Sequence, residues 1–116
     1  IERVAREKPV RAGVLLSVVG GLENAVLRMP KLDGGEHVVQ HLKGPFEIVS
    51  AVGTISSEGC HIHISLSDRE GVCSGGHLKD GCVVRTTAEV VIGVFENTTY
   101  RRVFDERTGF NESEVR

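Results

Sequence analysis

Apolar positions along this chain recur mostly with the period of a strand, in which successive side chains point to opposite faces. Residues 60–67 show it most clearly: Ile62, Ile64 and Leu66 alternate with His61, His63, Ser65 and Ser67. The opening differs, because Ile1, Val4 and Ala5 have helical spacing in a charged background. Pro9 disfavours helix in the residue before it, so this helix is expected to end at Lys8. Strands are then expected at 10–19 and 23–29, separated by Gly20-Gly21, and at 36–42 beyond the turn at 30–35, which makes a hairpin. After Lys43-Gly44-Pro45, residues 46–55 and 60–67 form a second hairpin around the turn at 56–59. Residues 68–71 read as a tight turn, 72–78 as a short irregular strand, 82–95 as a long strand and 100–104 as a short one. The polar remainder to Arg116 carries no clear pattern.

Composition agrees with a sheet: 18 valines stand against 8 leucines, and Val, Ile and Thr together make 30 of the 116 residues. The length suits one domain over 1–116, with no repeat or linker dividing it. A net charge of -2 offers no general electrostatic grip on nucleic acid, and Arg101-Arg102 is the only local basic pair. The longest apolar run, residues 14–19, is broken by Ser17 and falls far short of the ~20 residues of a membrane span. No signal peptide is visible; the first residue is Ile1, so the natural start is expected to lie upstream. Three cysteines without a CxxC pair point to a reducing compartment, with cytoplasm as the expectation. Two short sequons, at Asn97 and Asn111, are taken as chance.

The candidate chemistry gathers in residues 61–67. His61 and His63 share one strand face about 7 Å apart, a spacing one metal ion can bridge. His77 follows Gly75-Gly76 beyond the 68–71 turn. Three neutral imidazoles with a vacant fourth position are the arrangement of catalytic zinc, so His61, His63 and His77 are the expected metal ligands. The plain alternative is a wet sheet face, with a bulge at Gly75-Gly76; a bulge there would also be what brings His77 into register with the other two. His37 and His41 have i, i+4 spacing but lie in a strand-like stretch and are expected on the surface. Cys60, Cys73 and Cys82 are expected to act as small buried apolar groups rather than as thiolate ligands. Glu89 and Glu47 interrupt apolar strands; each is an orienter of an imidazole, a general base or half of an interface salt bridge, or else simply exposed. Arg28 can grip an anion or be solvated.

Four motifs together resemble one family. Gly44-Pro45-Phe46-Glu47-Ile48-Val49-Ser50 with Gly53-Thr54, His61-Ile62-His63-Ile64-Ser65-Leu66-Ser67-Asp68, Gly75-Gly76-His77-Leu78 with Gly81-Cys82, and 86–92 are similar in order and spacing to the plant and prokaryote conserved (PPC) domain. Val18-Val19-Gly20-Gly21 through Leu27-Arg28 resembles the family's Val-Gly-Ser…Leu-Arg stretch, with Gly21 in place of Ser. The resemblance implies an α+β fold with a mainly antiparallel sheet flanked by helices, assembled as a homotrimer, with the family's first strand and most of its first helix ahead of Ile1. Plant members carry an AT-hook; prokaryotic members are mostly stand-alone domains labelled DNA-binding by that analogy. No Arg-Gly-Arg-Pro core occurs here, so DNA binding by this chain alone is not expected. The three histidines are also similar to the zinc site of acetolactate decarboxylases, whose catalytic arginine and glutamates find no match. Two functions stay open on this basis: a regulatory or ligand-sensing trimer whose zinc or other divalent metal is structural or binds a small anion, or a metal-dependent lyase acting on a small oxygenated metabolite.

Overall fold

A computed structural model describes residues 1–116. The elements are α1 (Glu2–Glu7), β1 (Gly13–Arg28), β2 (Val39–Ser56), β3 (Gly59–Ser67), β4 (Cys73–Leu78), β5 (Val83–Val94), β6 (Tyr100–Asp105) and β7 (Phe110–Val115). Helix α1 stops where Lys8, ahead of Pro9, turns extended. Its Ala5 is fully buried in the core. The fold is mainly antiparallel sheet, as expected, but in place of the expected flanking helices it has one short helix, α1. No helix is long and apolar enough to cross a membrane.

Two expected breaks are not breaks. Residues 10–29 do not divide at Gly20-Gly21, and 36–55 do not divide at Gly44-Pro45; β1 and β2 run through both. The reason is pairing. β1 and β2 lie antiparallel from Gly13↔Ile55 to Arg28↔Val39, with one register shift between Leu22 and Asn24. Gly21 serves that packing rather than a turn: a Cβ there would run into the Arg85 carbonyl on β5 and the Phe46 carbonyl on β2. A second correction concerns the C-terminus, where β7 forms from residues in which no pattern was seen. Asp105 starts its turn by accepting hydrogen bonds from the Arg107 backbone N–H (2.8 Å) and guanidinium, and Gly109 takes a positive φ of 75°.

The main sheet curls until it meets itself. β1 pairs with β2, β2 with β3, β3 with β4, and β4 returns to β1 through Leu27↔Leu78 and Arg28↔His77. β5 pairs along the first part of β1. The inner face gathers Leu15, Leu22, Leu27, Phe46, Ala51, Ile55, Ile62, Ile64 and Leu66 with Ala5 and Val10 into one core. The hairpin of β6 and β7 docks on the rim: Tyr100 N–H donates to the Arg11 carbonyl at 2.9 Å, and Arg102 N–H donates to the Glu58 carboxylate at 2.8 Å. The outer face keeps apolar groups in solvent, Leu16 and Val52 each being 62% exposed.

Candidate metal centre

Strand β3 carries two of the histidines because its inner positions belong to the core. Ile62, Ile64 and Leu66 are buried, which forces His61 and His63 to the outer face, where both are exposed. The connection to β4 is closed by Asp68, whose carboxylate accepts from the Glu70 and Val72 backbone N–H groups, each at 2.9 Å. Gly71 completes it at φ 82°. The resulting register sets His63 directly opposite His77, with Ile64↔Gly76 and Ser65↔Gly75 following in step. No bulge occurs at Gly75-Gly76, contrary to expectation. The glycines are there because the backbones crowd: a Cβ on Gly75 would run into the Ile64 carbonyl.

The three rings converge. His61 and His63 bring their Nε2 atoms to 3.1 Å, and the centroid of His77 lies 4.8 Å from that of His61 and 5.5 Å from that of His63. One donor atom from each ring falls within 4.8 Å of the others. Tetrahedral zinc with nitrogens at 2.0–2.1 Å needs them about 3.3 Å apart, so these residues fit such an ion after side-chain shifts of roughly an ångström. Two of the rings, His77 and His61, are also shifted toward the neutral form a ligand must have. Burial, followed by the Arg28 guanidinium and the other two imidazoles, pushes His77 down to about 4. Burial, then His63, Arg102 and Arg28, lowers His61, with Glu112 pulling weakly the other way.

Arg28 belongs to this site. It sits opposite His77 in the β1–β4 ladder and donates from Nη2 to His77 Nδ1 at 3.2 Å. Its guanidinium also lies 5.2 Å from the centroid of the Phe110 ring. The β6–β7 hairpin closes the surroundings, so that Arg28, Cys60, His61, His77, Arg102, Phe110, Asn111 and Glu112 line one cavity of about 340 Å³. Arg102 stands out in the sequence only as half of a basic pair, and Asn111 and Glu112 lie in an ordinary polar tail, so nothing local assigns them to this site.

The other candidates lie elsewhere. Glu89 is exposed on β5 opposite Val19, and Glu47 is exposed at a different cleft with Arg85 and Thr87. Neither lines the histidine cavity. His41 is exposed on β2, while His37 packs edge-on to Phe110 at 5.5 Å between centroids. All three cysteines are free; Cys73 is exposed, Cys82 Sγ accepts from Val26 N–H at 3.2 Å, and burial raises the Cys60 thiol. None joins the three-histidine group.

Known proteins resemble this chain over nearly its whole length. Two cyanobacterial proteins described as Bifunctional protein GlmU, from Synechococcus strains, are each 36% identical over 115 residues, covering 99% of this chain. The chain spans only 18% of their length. A solved protein from Salmonella enterica superposes with a TM-score of 0.89 at 34% identity, over 99% of this chain and 80% of that one. A metal-containing protein from Archaeoglobus fulgidus superposes with a TM-score of 0.82 at 30% identity, over 97% of this chain and 81% of that one. Residues 1–96 match the family profile described as the Plants and Prokaryotes Conserved domain, and the chain therefore belongs to the Plants and Prokaryotes Conserved (PCC) domain family.

Proposed function

We propose that this domain is a homotrimeric ligand-sensing module whose His61, His63 and His77 hold one divalent transition metal ion, with zinc the first choice. The observation that carries it is the convergence of three imidazole donors within 4.8 Å from adjacent strands, a distance unrelated surface histidines rarely keep. Imidazole also suits nickel, copper and iron, so the donor set admits them. The description of the A. fulgidus relative as metal-containing supports the same reading. The trimer is supported by the apolar outer face around Leu16 and Val52, which a partner copy would cover. Free thiols suit a reducing compartment, and the cytoplasm completes the reading.

The second reading, a metal-dependent lyase for a small oxygenated metabolite, is favoured by one feature: the Glu112 carboxylate lines the same cavity as His61 and His77, where it could move a proton. Elemental analysis of tag-free protein, purified without added metal, tests the common ground of both. About one equivalent of metal per chain is expected; less than a tenth, with no thermal stabilisation by added zinc, overturns it. A monomer mass by light scattering at micromolar concentration overturns the trimer.

A further inference from the structure

Arg28 and Arg102 come from β1 and β6, far apart in sequence, yet both line the cavity beside His61 and His77. Both are half-buried. Neither has a carboxylate within ion-pair distance, the chain's ion pairs being Arg3–Glu7, Arg101–Glu58, Arg107–Asp105 and Arg116–Glu114. Glu112 is the one carboxylate among the lining residues. Two partly desolvated guanidinium groups that form no ion pair, against a single lining carboxylate, leave a net positive field that an anion relieves.

What Arg28 does instead is donate to Nδ1 of His77. A guanidinium never accepts, so Nδ1 supplies the lone pair and the neutral ring carries its hydrogen on Nε2. A ligating imidazole gives its lone pair to the metal and keeps hydrogen on the other nitrogen. If His77 ligates through Nε2, Nδ1 becomes N–H; if it ligates through Nδ1, the lone pair is taken. In both cases Arg28 must let go.

We infer that this cavity binds a small oxyanion, a carboxylate or a phosphate, between Arg28, Arg102 and the metal held by the three histidines, and that metal loading frees Arg28 for it. The inference rests on the metal reading above. It goes further in assigning the ligand class and in giving the β6–β7 hairpin, which lies beyond the residues 1–96 matched by the family, one of the two guanidinium groups. A planar guanidinium fork matches the two oxygens of either anion. Metal and anion then bind with positive coupling, because the metal removes Arg28 from His77 and the anion keeps it away; the coupling is reciprocal.

The test loads the full chain with cobalt(II), whose visible absorption responds to a change of ligands, and titrates acetate and, separately, inorganic phosphate. A saturable spectral change is expected with at least one, and the tighter of the two identifies the anion class. Its affinity should weaken about tenfold or more in both Arg28→Met and Arg102→Met. Cobalt stoichiometry should stay the same in both variants. Arg102→Met, on the rim hairpin, keeps the test decisive should Arg28→Met lose its packing on Phe110. No saturable change with either anion, or unchanged affinity in both variants, overturns this inference and leaves the metal site standing. Failure of the unmodified chain to take up cobalt or zinc overturns the metal reading and this inference together.

Discussion

Two polar concavities of this chain differ in what lines them. The cleft between Gly20-Gly21, Glu47, Asp68, Arg69, Arg85 and Thr87 has about 560 Å³, against about 340 Å³ for the histidine cavity. The larger one mixes both signs of charge around backbone that two glycines allow to pack closely. The smaller one is lined by His61 and His77, which converge with His63, and by two guanidinium groups that form no ion pair. Convergence of matched chemistry, not volume, marks the site.

That contrast can be broken by substitution. The largest effect is expected from His63→Ala, which should reduce bound metal from about one equivalent to under a tenth and abolish thermal stabilisation by zinc. The fold should remain, since His63 is exposed opposite the buried Ile62 and Ile64; metal analysis with far-UV circular dichroism checks both. Next comes Gly21→Ala in the larger cleft, where a Cβ meets two backbone carbonyls that cannot swing aside. A loss of about 2 kcal/mol or more is expected in urea unfolding. A variant as stable as the parent would show that cleft to be open space instead of packing.

A smaller effect is expected from pH. His77 is lowered from an ordinary 6.5 to about 4 in the folded, metal-free chain, so between those values the unfolded chain binds more protons. Stability of the metal-free protein should therefore hold above pH 6.5 and fall as pH drops from 6.5 through about 4, with His61, also lowered, adding to the same slope. Thermal melts from pH 7.5 to 4 check it; a flat profile would contradict the packing around these rings. His77→Gln should flatten part of the slope.

No change in metal content is expected for Glu47→Gln in the larger cleft or for His37→Ala, whose ring touches Phe110 but is not one of the converging donors. Finally, neither cavity adds a basic stripe to a chain of net charge -2, so AT-rich duplex should not bind at physiological salt. Salt-sensitive binding at sub-micromolar concentration would refute that.

The histidine half of the site was legible because it is local. Alternation in β3 and a short turn to β4 bring His61, His63 and His77 together from within 17 residues of chain. Arg28 was visible only as one candidate among several, since its place opposite His77 depends on β4 pairing back to β1. Arg102, Asn111 and Glu112 arrive through a hairpin anchored by Glu58 and Arg11, contacts that no periodicity encodes. Gly20-Gly21 and Gly44-Pro45 look like turns to local reasoning. Whether a glycine bends a strand or admits a neighbour is decided by the neighbour, which is why β1 and β2 were read too short.

The return of β4 to β1 rests on two residue pairs, Leu27↔Leu78 and Arg28↔His77, backed by the Lys79 N–H to Val26 carbonyl bond at 2.9 Å. So short a seam is where such a ring opens first, and backbone amides there should exchange hydrogen faster than those of the long β1–β2 ladder. The histidines all lie on one side of the seam and Arg28 on the other. Metal alone therefore does not clasp it, whereas an anion gripped from both sides does, so occupancy of a small cavity would be felt as the closing of the whole ring.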